Sequence, residues 1–143
     1  MRKLGIDYGD SRVGIAITDA LNITVQGLET IHHQGNDKIV LKRLEEILNE
    51  YEIDTLVIGM PINMNGSKAE RVEVTEKFIH KLKCKFNKIA IETVDERLTT
   101  VAAHKTMNFL NVDKTKKKNI VDTISAVYIL ETYMKKIENK KDI

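Results

Sequence analysis

The feature that most constrains the fold is a change in the spacing of apolar residues near residue 40. Before this point, residues 13–18 alternate, with Val13, Ile15 and Ile17 on one face and small residues on the other. Such alternation predicts a β-strand. After it, helical spacing and short apolar runs follow each other in turn. Three strands followed by alternating helices and strands predict a single layered α/β domain over residues 1–143.

The predicted elements follow this pattern along the chain. The strands are at 3–7, 13–18, 25–32, 56–59 and 88–94. The helices are at 40–51, 67–83, 98–110 and 119–136. Turn residues between the first two strands predict a hairpin, and the apolar run of the fourth is typical of a strand buried on both faces of a parallel sheet. Parallel crossovers bring carboxyl ends of strands to one edge, where α/β sheets carry their sites.

Composition argues against several classes of protein. No apolar run reaches the roughly 20 residues of a membrane helix, and Gly5 and Asp7 interrupt the N-terminus too early for a signal peptide. The single Cys84 cannot form an internal disulfide, and the 4 histidines lack cysteine partners at zinc spacing. We therefore expect a cytoplasmic protein that does not contact a membrane.

Acidic residues at three positions are predicted to gather at one edge of the sheet. Asp7 ends the first strand, and Asp95 and Glu96 follow the fifth. Asp122 lies near the start of the last helix, on an apolar stripe. Each position also has a structural explanation: turn formation, a favourable helix dipole, or helix capping. Together they form an oxygen-only ligand set of the kind that Mg²⁺ or Mn²⁺ prefers, and two such ions can support phosphodiester cleavage. The pattern does not decide between Asp95 and Glu96.

The net charge of +2 hides an uneven distribution of basic residues. From Lys114 to the end of the chain, 8 lysines stand against 4 acidic residues. This segment is either a solvated tail or a basic flank that meets a polyanion. On the second interpretation, the residues expected to contact nucleic-acid phosphates are Arg12, Arg97, Lys116, Lys117 and Lys118.

Taken together, these motifs resemble the YqgF family, also called RuvX, nearly from end to end. The segments that carry the resemblance are 5–9, 12–16, 18–19, 57–61, 66–67, 95–100, 116–118 and 121–122. The string Asp-Glu-Arg-Leu-Thr-Thr at 95–100, placed after a fifth strand, is the specific one. The opening Gly-x-Asp-x-Gly is shared with sugar kinases and actin-like ATPases.

The resemblance implies a ribonuclease H-like fold, with a five-stranded mixed sheet in the order 3-2-1-4-5 flanked by helices. It also implies a metal-dependent nuclease that processes the 5′ end of the 16S ribosomal RNA precursor in the bacterial cytoplasm. Carried over residue by residue, the catalytic positions are Asp7, Glu96 and Asp122, with Asp95 in reserve. The first three would bind Mg²⁺ or Mn²⁺. The chain departs from the resolvases in having Gly59 where they carry an acid, and from many relatives in having Asn65 where they carry Asp.

Several other functions stay open on the sequence. One is a nucleic-acid-binding protein of the same fold with little or no cleavage, acting in RNA processing or transcription. Another is a Holliday junction resolvase acting on DNA. An actin-like ATPase or sugar kinase needs a second phosphate loop and usually a second domain, for which 143 residues leave no room. The sequence decides neither RNA against DNA nor monomer against homodimer.

Overall fold

The structure is a computed structural model that describes residues 1–61, 69–95 and 114–141. Its elements, in chain order, are β1 (Arg2–Tyr8), β2 (Arg12–Thr18), β3 (Val25–His32), α1 (Asp37–Glu50), β4 (Ile53–Met60), α2 (Ala69–Lys85), β5 (Ala90–Asp95) and α3 (Lys114–Lys141). All five predicted strands are present. The predicted helix at 98–110 and the loop residue Asn65 lie outside the described residues.

The five strands form one mixed sheet in the order β3-β2-β1-β4-β5. The pairs β1–β2 and β2–β3 are antiparallel, whereas β1–β4 and β4–β5 are parallel. The strand order implied by the family resemblance and the β1–β2 hairpin are both confirmed. Strands β1, β4 and β5 therefore end at the same edge of the sheet.

Two apolar cores lie on opposite faces of the sheet. On the first face, Val13, Ile15 and Ile17 pack with buried residues of α1 and α2, which confirms the predicted alternation. On the second face, α3 packs through Ala126 and Ile129, with other buried residues, against β2, β4 and β5. Because both faces are covered, the central strands are buried on both sides, as expected for parallel strands.

The backbone of α3 lies directly on β1 at Gly5. A Cβ atom built on Gly5 would lie 2.7 Å from the carbonyl oxygen of Ala126 and 2.9 Å from the Cβ of Leu130. Neither atom is the movable end of a flexible side chain. The close approach of helix to strand therefore requires glycine at this position.

The last helix is longer than its sequence pattern predicts, so the predicted range 119–136 is wrong at both ends. Helix α3 begins at Lys114, so Asn119 does not cap it and Asp122 lies more than two turns inside it. The reason is that residues 114–141 contain neither Gly nor Pro, and lysine is a good helix former. Lys116, Lys117 and Lys118 consequently belong to the helix rather than to the segment before it.

Helix α1 begins earlier than its apolar spacing indicates. Asn36 caps it, since its side chain accepts a hydrogen bond from the backbone N–H of Lys38. Cap residues set this boundary, whereas apolar periodicity shows only where the buried face starts. In the described part of the chain, no helix combines the length and the apolar character needed to cross a membrane.

We predict that Gly5→Ala destabilises the protein by about 1–3 kcal/mol, the usual cost of overpacking a dense core. The added methyl group would meet the backbone of α3, which cannot rotate away. Urea unfolding of the variant measures the loss, with Lys42→Ala on the exposed face of α1 as a control expected to stay near the wild-type value. Equal unfolding free energies for Gly5→Ala and wild type would contradict the close packing described here.

Candidate active site at the carboxyl end of the sheet

Asp7 is half-buried near the end of β1, in a row of residues that have small side chains. In β2 its partner is Gly14. In β4, Gly59 follows Ile58, which pairs with Ile6 next to Asp7. With glycine on both neighbouring strands, β2 and β4 place no side chain directly beside the carboxylate of Asp7. Small neighbours in the sheet suit a carboxylate that binds an ion or faces a phosphate.

Helix α3 covers the face of the sheet to which Asp7 belongs. Gly5, two residues earlier in β1, lies against Ala126 of this helix. Because side chains alternate along a strand, Asp7 is on the same face as Gly5. The carboxylate therefore belongs to the α3 side of the sheet, not to the side that α1 and α2 cover.

The amino-terminal half of α3 crosses the strand row that contains Asp7. The Oγ1 atoms of Thr123 and Thr30 lie 3.0 Å apart. Thr30 pairs with Gly14, and Gly14 pairs with Asp7. Asp122 precedes Thr123 in the helix, so the backbone brings Asp122 to the same face and the same end of the sheet as Asp7. The side chain of Asp122 lies outside the described part, and joint action of the two acids stays a prediction.

The register of β5 separates Asp95 from Asp7. Val94 pairs with Gly59 and is buried in the α3 core. Asp95 pairs with Met60, which packs against the core on the other face. Alternation therefore assigns Asp95 to the face opposite Asp7. Glu96, the other candidate at this position, lies outside the described residues.

The described side chains contain only part of the predicted metal site. No three His, Cys, Asp or Glu side chains among them group together as potential ligands, and Glu96 and Asp122 are not among them. The oxygen chemistry of the predicted set suits Mg²⁺ or Mn²⁺. One turn beyond Asp122, the Ser125 hydroxyl is buried and has no hydrogen-bond partner in the part of the chain that is described. The buried Ser125 hydroxyl and the oxygen ligands predicted nearby both fit a polar site on this side of α3.

The basic residues predicted to contact phosphate are described to different extents. Arg12 is half-buried at the start of β2, across the hairpin from the end of β1. Lys116, Lys117 and Lys118 lie in the first turns of α3, with side chains outside the described part. Arg97 is outside it altogether. Of these residues, the structure gives a side-chain position for Arg12 alone.

Asp19, one of the residues that carry the family resemblance, has a structural role. Its carboxylate accepts hydrogen bonds from the backbone N–H groups of Thr24 and Ile23, at 3.1 and 2.6 Å. These bonds favour the charged form and hold the pKa of Asp19 below its ordinary value. Asp19 therefore closes the turn between β2 and β3, at the opposite end of β2 from the residues that flank Asp7.

Two residues near the end of β1 have roles that sequence reasoning did not find. The sequence of His33 and its neighbours is compatible with either a surface or a structural role. In the structure, His33 is buried and bonds to the carbonyl oxygen of Gly9. Arg71 bonds to Asp10 and to the carbonyl oxygen of Tyr8, which are 61 and 63 residues away. No local pattern signals contacts at such separations. Both residues hold the backbone that directly follows Asp7.

Comparison with known proteins agrees with the resemblance seen in the sequence. The family model described as "RuvX: Holliday junction resolvase" matches residues 1–136. The chain belongs to this family. It is 53% identical over 141 residues to a Ruminiclostridium cellulolyticum protein named "Putative pre-16S rRNA nuclease", an alignment that covers 99% of each chain. A RuvX relative of the same name from Acetivibrio thermocellus is 49% identical and aligns over 94% of this chain and 95% of its own.

Two of the solved structures similar to this RuvX chain are resolvases with low sequence identity. The fowlpox virus Holliday junction resolvase superimposes with a TM-score of 0.60 at 14% identity, covering 96% of this chain and 99% of its own. Thermus thermophilus RuvC gives a TM-score of 0.57 at 11% identity, covering 96% and 97%. At such identities the likeness shows the fold, which is the ribonuclease H-like fold of these resolvases.

We predict that Asp19→Ala lowers the melting temperature at neutral pH and that the difference from wild type shrinks as the pH falls. A carboxyl group with a depressed pKa stabilises the fold above its ordinary pKa, and this contribution is lost as the pH drops through the depressed value. Thermal unfolding between about pH 5 and pH 2 measures the trend. Asp19→Asn keeps an acceptor oxygen without the charge and serves as the matched variant. A difference that is constant with pH would contradict this role.

Proposed function

We propose that this RuvX protein is a divalent-cation-dependent nuclease that hydrolyses phosphodiester bonds at the 5′ end of the 16S ribosomal RNA precursor. The names of its full-length relatives support the nuclease activity and the RNA substrate. The observation that carries the site is the position of Asp7, which has Gly14 and Gly59 beside it and belongs to the face packed against the helix of Asp122. An acid with a purely structural role would not need glycine on both neighbouring strands.

In this proposal, Asp7, Glu96 and Asp122 hold Mg²⁺ or Mn²⁺. When bound, two such ions supply a polarised water and a positive charge that stabilises the leaving oxygen. Asp7 is the anchor of the set, because a central strand of the sheet fixes its backbone. The three carboxylates would repel one another without a cation, so a bound divalent cation would stabilise the set.

Basic residues at the same edge provide the affinity for nucleic acid. A cluster of acids repels a phosphate backbone, so binding needs compensating positive charge near the site. Arg12 lies in the hairpin that contains Asp7, and the helix that contains Asp122 also contains Lys116, Lys117 and Lys118. Arg97 directly follows Glu96 in the sequence. We assign these residues to phosphate contacts.

A second candidate function is nucleic-acid binding with little or no cleavage. The observation that favours it is Gly59 in β4, at the strand position where the related resolvases carry an acid. Cleavage of branched DNA is the other alternative, because the fold resembles that of Holliday junction resolvases. Incubation of the protein with labelled precursor RNA and with a four-way DNA junction, with and without Mg²⁺, separates the three functions.

We predict that Asp7→Asn and Glu96→Gln each reduce cleavage of precursor RNA by more than about 100-fold, since even outer-shell partners of a catalytic metal are worth 10–100-fold. Asp95→Asn is the matched control. Asp95 belongs to the opposite face of the sheet, so the activity of this variant should stay within about tenfold of wild type. A tenfold loss is the smallest that removal of an outer-shell partner of a metal usually causes. All three amide substitutions are nearly isosteric, and melting temperatures verify the fold. Cleavage rates with Mg²⁺ and with chelator provide the comparison.

The ends of the products test the chemistry independently of the rate. Hydrolysis by the proposed route leaves a 5′-phosphate and a 3′-hydroxyl, whereas attack by the RNA 2′-hydroxyl leaves a cyclic phosphate. Full activity of Asp7→Asn in a chelator, or cyclic-phosphate ends, would show that the acids are structural. Binding of RNA without any cleavage would support the second candidate function.

We predict that replacing Lys116, Lys117 and Lys118 together with Ala weakens RNA binding whatever its sequence. The plot of log affinity against log salt concentration should become shallower by about 2, since each phosphate contact to a single strand contributes about 0.7. A variant with Lys42, Lys83 and Lys88 replaced has the same change in charge on other surfaces and should keep the wild-type slope. Equal slopes for both variants would mean that the lysine run is only solvated.

A further inference from the structure

The turn that follows Asp7, residues 9–11, is tight and leaves backbone carbonyl groups to be satisfied from outside the hairpin. The N–H of Gly9 donates to the carbonyl oxygen of Arg12 at 2.9 Å, which closes the turn. A Cβ atom on Gly9 would lie 2.6 Å from that same oxygen, so only glycine fits. The carbonyl groups of Tyr8, Gly9 and Ser11 all accept hydrogen bonds from residues beyond the hairpin.

His33 holds the turn from the side of the β3–α1 connection. Its Nε2 lies 2.9 Å from the carbonyl oxygen of Gly9, and its Nδ1 lies 3.0 Å from the backbone N of Gly35. The Gly35 N–H can only donate, so Nδ1 is the acceptor and Nε2 has the hydrogen that it donates to Gly9. The backbone N–H of His33 also donates to the carbonyl oxygen of Ser11, at 2.9 Å. His33 is 1% exposed, so water does not compete for these bonds.

Arg71 holds the turn from the side of α2. Its Nη1 donates to Oδ1 of Asp10 at 2.6 Å, and its Nη2 donates to the carbonyl oxygen of Tyr8 at 3.1 Å. The planar guanidinium fixes the directions of both bonds together, which a lysine ammonium cannot do. Asp10 is 82% exposed, so the ion pair adds little to overall stability. The geometric constraint on the turn is its main effect.

The side chain of Tyr8 fixes the same stretch of backbone through contacts in the core formed with α1 and α2. Its ring stacks on Phe78 with 4.1 Å between centroids, and on His33 with 5.7 Å. Its hydroxyl donates to Oδ1 of Asp37 at 2.6 Å, and Lys81 donates to the other oxygen of that carboxylate at 2.9 Å. Burial and the bond to Asp37 raise the pKa of Tyr8 above its ordinary value, so the hydroxyl stays a donor. The residue that directly follows Asp7 is therefore held by its ring and by its carbonyl group.

We propose that Arg71 is a positioning residue for Asp7, acting through the carbonyl group of Tyr8 and through Asp10. It stops the turn at residues 9–11 from moving relative to α2, and so fixes the direction in which the Asp7 carboxylate points. His33 completes this clamp from the β3–α1 connection. The inference rests on the proposed catalytic role of Asp7. Its physical basis is that catalytic geometry tolerates displacements of only about 0.5 Å, whereas stability does not depend on so exact a position.

The test compares Arg71→Met, which keeps the length of the side chain but removes its donors, with Arg71→Lys and with Arg43→Met. Arg43 pairs with Glu29 and Glu46, away from the turn, and is the matched control. Amide hydrogen exchange followed by NMR on the full chain reads the clamp through the N–H of Gly9. We expect this amide to exchange about tenfold faster in Arg71→Met and Arg71→Lys and at the wild-type rate in Arg43→Met.

Cleavage kinetics then read the consequence for Asp7. We expect kcat to fall about tenfold in both Arg71 variants, with KM and melting temperature unchanged, and the Arg43 variant to behave as wild type. An unchanged Gly9 exchange rate overturns the clamp, and fast Gly9 exchange with normal kcat overturns the positioning role. If wild-type protein shows no Asp7-dependent cleavage, the proposed function fails and the catalytic part of this inference fails with it. In that case Gly9 exchange still decides whether Arg71 holds the turn.

Discussion

The contact on which the rest of the structure depends is the approach of the α3 backbone to β1 at Gly5. Since no side chain separates them, the helix lies as close to the sheet as its own backbone allows. Its amino-terminal half then reaches the strand row of Asp7, where Thr123 meets Thr30. A larger residue at position 5 would lift the helix away from that row. The packing of one glycine therefore controls the distance between the two elements that contain Asp7 and Asp122.

Small residues surround Asp7 in the sheet, whereas large apolar residues form the core on the other face. Gly14 and Gly59 flank Asp7 on its two neighbouring strands. Because glycine has no side chain to bury, these positions add little apolar packing, and residues elsewhere must provide it. The large buried side chains lie mainly on the other face, under α1 and α2. The two faces of the sheet thus differ: among the described residues, one contains most of the large buried side chains, and the other contains Asp7 and is covered by α3.

The turn that follows Asp7 is likewise held by residues from other parts of the fold. Its main-chain carbonyl groups are bonded by His33, from the β3–α1 connection, and by Arg71, from α2. The ring of Tyr8 also holds this backbone, because it stacks on Phe78 and its hydroxyl bonds to Asp37. Hydrogen bonds to buried backbone carbonyl groups add direction as well as free energy, because an unmade bond there is costly. A carboxylate at the end of a strand would otherwise move with its fraying terminus.

The sequence by itself determined the elements whose signals are local. Alternation of Val13, Ile15 and Ile17 and the apolar run at 56–59 predicted strands, and the family motifs predicted the strand order and candidate acids. Tertiary structure decided what depends on distant partners. The register of β5 separated Asp95 from Asp7. The start of α3 at Lys114, by contrast, followed from uninterrupted helix propensity and not from a cap at Asn119. Arg71 gave no local signal, because its partners lie more than 60 residues away and only the folded chain brings them together.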